Sequence, residues 1–221
     1  MLTSCDTVSL ISTENGSETA RQFEELRGRC LQTLSRILDA KDPATRLTAY
    51  PAAKLASAIG KAIGIDAETL RRIELGVMLR DIGTIGIPDS ILKKCGRLSS
   101  AELTKVQGHP ALGVSILNPL LGTENTVLAV VMHHHERWDG TGYPARLREH
   151  DIPFEARLVA AADAFVAMVS ERPYRKALQP NIAMRMLDVG AGGQWDPDVV
   201  HALLRLPFGM ASNIVRSVSP N

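Results

Sequence analysis

Four consecutive side chains are the first candidates for chemistry in this sequence: His133, His134, His135 and Glu136. The preceding residues 127–132 are apolar, and the pattern predicts a buried helix over 126–136. Imidazole in an apolar setting needs hydrogen-bond partners or a metal ion. Because neighbouring helical residues point about 100° apart, two of them reach one ion only at a helix end or edge. The glycine-containing segment that follows offers such an end; polar surface histidines are the alternative explanation.

Three further polar residues stand in apolar or loop contexts. Asp81 follows an apolar helical segment, His109 stands at a predicted helix start, and Asp163 interrupts an alanine-rich helix. A carboxylate in such a place costs free energy unless it is paired or ligated. A salt bridge to Arg80 or Arg172 is the alternative for Asp163. The whole candidate set consists of three histidines and two carboxylates, a mixture that suits Fe, Mn or Zn rather than Ca: Asp81, His109, His134, His135 and Asp163.

The elements that must position these residues are helices. Apolar residues recur at steps of three and four along most of the chain, and no alternating strand pattern is present. We therefore expect an all-α fold, a single multi-helix bundle with an N-terminal helix. Helix-break signals divide the chain into a flexible arm over 1–17, the N-terminal helix over 18–41, the bundle over 42–210 and a tail over 211–221. The segment 81–89, with two glycines and a proline, is predicted to be a loop.

Composition excludes several functional classes. The chain has 221 residues, 25 basic and 24 acidic, with a formal net charge of +1. Bulk charge thus gives no reason to expect a nucleic-acid polymer as partner. No apolar run approaches the ~20 residues of a membrane span, and the first residues do not look secretory. The three cysteines are widely separated in the sequence and show no spacing typical of a disulfide framework. We expect reduced thiols and a cytoplasmic protein without membrane insertion.

Several segments together resemble the HD-GYP family over about residues 40–206. Residues 80–89 read RDIGTIGIPD and resemble its HDIGKIGIPD segment, and residues 134–144 read HHERWDGTGYP, similar to its HHERxDGxGYP signature. Further matches are His109 with Pro110, Asp163, the RPYR of 172–175 and the QWDP of 194–197. The length of the GYP segment makes this resemblance highly specific.

The resemblance implies a helical domain of the HD superfamily that hydrolyses the bacterial second messenger cyclic di-GMP. Family members use two or three metal ions, commonly iron or manganese, and a metal-bridging hydroxide attacks the phosphorus. Arg172 and Arg175 match positions that would hold the phosphate. The loop of Gly142, Tyr143 and Pro144 matches one linked to interaction with cyclic di-GMP synthases.

The departures from the family pattern concern its metal site. Non-matching residues replace the first histidine, the histidine of the HD pair, a phosphate-contacting lysine and a downstream aspartate: Thr48, Arg80, Thr84 and Val166. By the resemblance, one metal position retains only two carboxylate ligands. The second retains its whole set of protein ligands, which are Asp81, His109, His134 and His135. Arg80 cannot ligate a metal because guanidinium stays protonated, and we expect it against Asp81 or Asp163 in place of the missing ion.

Three functional hypotheses follow. The leading one is a degenerate HD-GYP signalling domain, catalytically weak or inactive, that binds one divalent ion (Fe or Mn), cyclic di-GMP, or a partner such as a cyclic di-GMP synthase. The first alternative is a metal-dependent cyclic di-GMP phosphodiesterase, yielding pGpG or GMP, that works with an incomplete metal site. The second is a scaffold that binds neither metal nor nucleotide. The N-terminal helix also offers a contact for a homodimer.

Overall fold

The computed structural model describes residues 4–122, 125–171, 176–207 and 209–217, with side chains from residue 18 onward except at 20, 23, 43–46 and 125. In these ranges the regular elements are helices, which confirms the predicted all-α class. The α-helices are α1 (Ser4–Lys41), α2 (Pro43–Ala62), α3 (Ala67–Leu79), α4 (Asp89–Leu92), α5 (Ser100–Gln107), α6 (His109–Leu121), α7 (Asn125–His133), α8 (Phe154–Val169), α9 (Pro180–Gly190), α10 (Pro197–Leu204) and α11 (Met210–Arg216). Two 3-10 turns, Ile82–Gly86 and Glu149–Asp151, complete them.

The chain divides into two compact units, Met1–Ile37 and Leu38–Asn221. The first unit consists of most of α1, which begins at Ser4 and so includes most of the predicted arm over 1–17. No proline occurs before Pro43, so nothing in this stretch removes a helical hydrogen bond. Asp42 alone separates α1 from α2, as its place before a proline predicts. No helix among the described residues has the length and apolarity to cross a bilayer.

An aliphatic core organises the second unit. Helix α2 packs against α3 and α8, and α3 packs against α7. Helix α8 supplies the largest fully buried side chain, Phe165, together with Leu158 and several alanines. Small residues on α8 let the neighbouring helices approach closely, so Asp163, which stands among these alanines, is held at a defined place beside α3.

Local hydrogen bonds fix where the helices begin. Asp66 accepts hydrogen bonds from the backbone N–H groups of Glu68 and Thr69, at 2.9 Å each, and starts α3. Ser99 and Glu102 form the predicted capping box at the start of α5. Because α3 starts at Asp66, its apolar face buries Ile73 and Val77, and its end delivers Arg80 and Asp81 to the interior.

Besides the start of α1, three helix boundaries differ from the sequence-based expectation. Helix α7 ends at His133 rather than at residue 136, so His134 and His135 lie in a turn. The predicted loop over 81–89 contains the 3-10 turn of 82–86, closed by short-range bonds such as that from Thr84 N to Asp81 O (2.9 Å). Helix α11 (Met210–Arg216) extends into the predicted tail over 211–221, because Ala211 and Val215 lie one turn apart and are both buried in the core.

The 3-10 turn approaches the start of α6 so closely that only glycine fits at position 83. A Cβ atom on Gly83 would lie 1.9 Å from the carbonyl oxygen of His109 and 2.6 Å from the amide nitrogen of Gly113. These obstructing atoms belong to backbone and cannot rotate away. This contact holds Asp81, at the head of the turn, beside His109.

Gly83→Ala should therefore destabilise the protein by about 3 kcal/mol, because backbone must move to admit the methyl group. Gly28→Ala is the matched control, since no atom lies within 4 Å of a Cβ there and alanine favours a helix interior by up to about 1 kcal/mol. Urea unfolding of both variants measures the difference. Equal midpoints for Gly83→Ala and the unmodified protein would contradict the close approach.

Candidate metal centre

Four of the five predicted ligands converge in the structure. Each of Asp81, His109, His134 and His135 offers one ligand atom, and these four atoms lie within 4.8 Å of one another. Asp81 precedes the 3-10 turn, His109 is the first residue of α6, and the two adjacent histidines directly follow α7. The end of α7 at His133 resolves the difficulty of placing neighbouring histidines at one point, since the turn brings both rings to the same side.

Backbone carbonyl groups orient two of the imidazole rings. Nδ1 of His109 donates to the Val106 carbonyl oxygen at 2.7 Å, and Nδ1 of His134 donates to that of Val131 at 3.0 Å. A carbonyl oxygen only accepts, so the proton of each ring is on Nδ1 and each Nε2 presents a lone pair. This is the outer-shell arrangement typical of metal-bound histidine.

The two lone pairs face each other and a carboxylate. His109 Nε2 lies 3.4 Å from His134 Nε2. Oδ1 of Asp81 lies 3.5 Å from the first of these atoms and 3.7 Å from the second. Three electron-rich atoms at such distances repel one another unless a cation or a proton lies between them. The residues present therefore fit a divalent ion.

The third ring, His135, is held by aromatic neighbours. It stacks on Tyr143, with ring centroids 4.6 Å apart and an interplanar angle of 23°, and meets His109 edge to face at 5.1 Å. Burial lowers the pKa of His135 to about 2. Burial also lowers the pKa of His109. Both rings are consequently neutral at pH 7, the form that binds metal.

Arg80 lies beside this group and joins two carboxylates. Its Nη2 donates to Asp163 Oδ1 at 2.7 Å, its Nε lies 3.3 Å from Asp81 Oδ2, and its Nη1 donates to the Val77 carbonyl at 2.8 Å. The residue is only 3% exposed. Burial by itself lowers the pKa of Arg80, but the charges of Asp163 and Asp81 outweigh burial and raise it. The guanidinium therefore stays charged.

The same contacts keep Asp81 ionised. Burial raises the pKa of Asp81, but the charge of the adjacent Arg80 guanidinium lowers it well below its usual range. Asp163, predicted as a metal ligand, lies outside the four-residue group found among the described residues and is bonded to Arg80 instead. The salt bridge that the sequence left open for Asp163 is thus present with Arg80, whereas Arg172 lies outside the described residues.

The other substituted positions have structural surroundings of their own. Thr84 is buried, and its hydroxyl donates to the Asp81 carbonyl oxygen at 2.7 Å, closing the 3-10 turn. Val166, one turn along α8 from Asp163, belongs to the apolar core. Thr48 is buried on α2. Their roles relative to a first metal remain predictions. Arg172 and Arg175, predicted to hold phosphate, lie outside the described residues.

The loop of Gly142, Tyr143 and Pro144 is fixed against the metal group. The buried carboxylate of Glu136 accepts hydrogen bonds from the amides of Ala145 (2.7 Å) and Leu147 (3.2 Å). A Cβ on Gly142 would lie 2.4 Å from the amide nitrogen of Arg137, so the chain passes too closely for any side chain. These contacts place the Tyr143 ring over His135.

A cleft of about 380 Å³ opens beside the two adjacent histidines. Its lining includes His135, Arg137, Tyr143, Asp163, Gln194 and Trp195. Arg137 forms a bidentate pair with Asp139 (3.2 and 2.8 Å), so its guanidinium is already engaged at the rim of the cleft.

Sequence reasoning missed the ion pair that anchors this region. The Arg157 guanidinium pairs with the buried carboxylate of Asp196 and lies over the Trp138 ring, 5.7 Å from its centroid. Asp196 also caps α10 through the amide of Asp198 (2.8 Å). The QWDP match over 194–197 marked Asp196, but nothing in the sequence linked it to a residue 39 positions earlier.

Comparisons with known proteins show what the chain is similar to. The family profile described as HD domain matches residues 32–199. A cyclic di-GMP phosphodiesterase response regulator of Xanthomonas campestris is 37% identical, over 83% of this chain and 49% of the relative. A cyclic di-GMP phosphodiesterase of Thermotoga maritima is 34% identical, over 87% of this chain and 53% of the relative. The chain thus spans about half the length of these curated relatives.

Solved structures share the fold. An HDG"Y"P protein of Bdellovibrio bacteriovorus superposes with a TM-score of 0.58 and 22% identity, over 78% of this chain and 56% of that one. The HD domain of the phosphodiesterase PgpH of L. monocytogenes, solved with cyclic-di-AMP, gives a TM-score of 0.55 and 15% identity, over 84% and 95% of the two chains. At these identities the likeness supports the fold alone.

Arg80→Met should destabilise the metal-stripped protein by about 3 kcal/mol, because it leaves two poorly solvated carboxylates without a counter-charge. Arg72→Met, an exposed position on α3, should change stability by no more than about 0.5 kcal/mol. Chemical denaturation at pH 7 measures both. A variant at position 80 as stable as the control would show that the buried pairs contribute nothing.

The stability of the metal-stripped protein should fall as the pH drops below about 6.5, the ordinary histidine pKa in an unfolded chain. The lowered pKa values of His109 and His135 mean that the unfolded state binds protons first, so the loss continues towards the folded pKa of His135, about 2. Thermal midpoints between pH 8 and 5 measure this. His135→Gln should reduce the dependence of the thermal midpoint on pH. If the variant and the unmodified protein lose stability in parallel, the His135 ring is not held neutral in the folded state.

Proposed function

Because the chain belongs to the HD domain family and its resemblance to the HD-GYP proteins is confirmed, we propose that it is a cyclic-dinucleotide signalling domain that binds one metal ion and does not hydrolyse its ligand. The observation that carries this proposal is the Arg80 guanidinium, which joins Asp81 to Asp163 where the resemblance implies a first metal. The proposal has three parts: the number of ions, the absence of turnover and the class of ligand.

The number of ions follows from charge. A guanidinium cannot lose its proton in a protein, so it cannot ligate and repels a cation placed next to it. The positive charge on Arg80 offsets one of the two negative charges of Asp81 and Asp163, and it does so without an exchangeable ligand. The four residues Asp81, His109, His134 and His135 keep their ligand atoms together on the other side of Asp81. We therefore expect one divalent ion per chain.

The absence of turnover follows from what that arrangement omits. A bound ion would supply Lewis-acid stabilisation of a phosphate oxygen. The paired-metal arrangement implied by the resemblance needs a second ion to position the attacking oxygen, and Arg80 offers only donors there. Asp163 is not free to act as a base, because Arg80 Nη2 holds its Oδ1 at 2.7 Å. Loss of the second ion removes several kcal/mol of transition-state stabilisation.

The class of ligand rests on the relatives and on the cleft. The relatives carry names such as cyclic di-GMP phosphodiesterase and 3'3'-cGAMP-specific phosphodiesterase, so cyclic dinucleotides are the proposed ligands. The cleft beside His135 offers the tyrosine ring of Tyr143 and the amide of Gln194 near the metal group. The rigid loop of Gly142 to Pro144 provides the proposed surface for a signalling partner such as a nucleotide synthase, and α1 a contact for a second copy.

Restoring the missing histidines tests the proposal. The unmodified protein should bind one equivalent of Fe(II) or Mn(II) under anaerobic conditions and yield no linear product from cyclic di-GMP. Thr48→His combined with Arg80→His should bind two equivalents of metal, because the first metal position then regains its two histidine ligands. Linear pGpG should become detectable in the same variant. Metal analysis and chromatography of the nucleotides measure the two effects.

Two variants control this experiment. Arg72→His adds a histidine at an exposed position of α3 and should leave the metal count at one. His134→Ala removes a ligand and should abolish binding of the single ion. If the unmodified protein hydrolyses cyclic di-GMP and His134→Ala does not, the proposal is overturned. The protein would then be a phosphodiesterase that works with the single metal held by the four-residue group.

A further inference from the structure

Helix α1 carries an apolar stripe that the described residues leave uncovered. Leu26 is 55% exposed and Ile37 is 47% exposed, and Cys30 and Thr33 lie between them on the same side of the helix. Steps of four, three and four residues separate these positions, which is the spacing of a coiled-coil seam. The Thr33 hydroxyl donates to the Arg29 carbonyl oxygen at 2.9 Å. The stripe can therefore meet a second helix without leaving this hydroxyl unpaired.

The described part of the compact unit that holds this stripe is a single helix, which begins at Ser4. A single helix cannot bury its own apolar face, and most helical stability in proteins comes from the tertiary packing of such a face. Leu31, about 100° around the helix from Cys30, is buried, so one side of α1 is covered and the stripe is not. The stripe is consequently a surface for another chain.

Charged residues beside the stripe are segregated along α1. Three of the four charged residues over 18–25 are acidic, whereas all three over 26–38 are basic. Two of the acidic residues are paired with arginines of their own helix, at 3.0 and 2.6 Å. Glu25 and Arg36 are exposed, and neither forms an ion pair with another residue in the described part of the chain. These two opposite charges are available to a partner.

An antiparallel pair of α1 helices matches one stripe to the other. A two-fold axis that passes between positions 31 and 32 puts Leu26 level with Ile37 of the second copy. The same axis puts Cys30 level with Thr33 of the second copy. Each seam position then opposes a seam position, as knobs-into-holes packing requires.

The same axis brings opposite charges together. Eleven residues, just over three helical turns, separate Glu25 from Arg36, so both lie along the same edge of the stripe. Glu25 of one copy lies about 3 Å along the helix from the level of Arg36 of the second copy, and this contact occurs twice in the dimer. A parallel pair in register sets each of these charges level with its own copy. Charge complementarity therefore favours the antiparallel orientation.

We propose, resting on the α1 contact named under the proposed function, that α1 pairs with α1 of a second copy in antiparallel orientation through Leu26, Cys30, Thr33 and Ile37. The seam extends only about 17 Å along the helix. It is smaller than the interface of a standard stable complex, so the dimer exchanges with the monomer and its population depends on protein concentration.

Sedimentation equilibrium of the full chain in reducing buffer tests the stripe. The unmodified protein should show a monomer–dimer equilibrium. Leu26→Glu should weaken the dimer by at least about tenfold, because a charge enters the seam from both copies. Gly28→Glu is the matched control, since Gly28 is exposed on another side of α1 and no atom lies within 4 Å of a Cβ there. This control should leave the equilibrium unchanged, and equal effects of the two variants would overturn the stripe as the interface.

Charge reversal tests the orientation. Glu25→Arg and Arg36→Glu should each weaken the dimer about five-fold at low salt, because each turns two attractive contacts into repulsive ones. The combined variant should recover the affinity of the unmodified protein, because opposite charges meet again. Additive losses in the combined variant would overturn the antiparallel pairing.

Disulfide cross-linking gives an independent reading of the orientation. One chain keeps only Cys30, and a second chain has Cys30→Ser with Thr33→Cys; Cys5→Ser and Cys95→Ser are present in both. In the antiparallel dimer positions 30 and 33 of different copies lie side by side, so oxidation should cross-link the mixture and neither chain alone. Cross-linking of each chain alone would show a parallel dimer.

The outcomes separate this inference from the rest of the proposed function. A parallel dimer would overturn the antiparallel orientation and leave the α1 contact standing. A chain that stays monomeric at every concentration would overturn both the orientation and the α1 contact. The number of metal ions and the absence of turnover are measured separately and do not depend on either result.

Discussion

A buried guanidinium between two carboxylates is the constraint on which the rest of the site depends. Arg80 is almost wholly removed from solvent, and its charge is compensated by Asp81 and Asp163. A buried ion pair of this kind contributes little net stability relative to an apolar core, but removal of one partner is costly. Once arginine is present at this position, its buried charge needs the carboxylates that lie beside it.

The same interaction shapes the remaining ligand group. Asp81 directs one oxygen to Arg80 and the other to the histidines, so the ion pair and the metal centre share one side chain. The backbone carbonyls that orient His109 and His134 come from their own helical turns, and they turn both Nε2 atoms toward that shared carboxylate. The four predicted ligands thus form an oriented group that could hold one metal ion beside the ion pair.

Close backbone approaches give the site its rigidity. Gly83 lets the 3-10 turn meet α6, and Gly142 lets the loop pass the end of α7. Glu136 then holds that loop by two amide donors. The contacts at Gly83 and Gly142 leave no space for a larger residue. The three segments that carry the predicted ligands therefore have little freedom relative to one another within this unit.

The sequence by itself determined the all-α class, the break at Asp42, the caps at Asp66 and Ser99, and the identity of the residues that surround the centre, because these depend on residue type and on hydrogen bonds within a few positions. Only the tertiary structure decided that Arg80 bonds Asp163, 83 residues away, that Asp81 divides its oxygens, and that Arg157 pairs with Asp196. Such pairings depend on how helices pack and on which rotamer a long side chain adopts, and local sequence patterns do not contain that information.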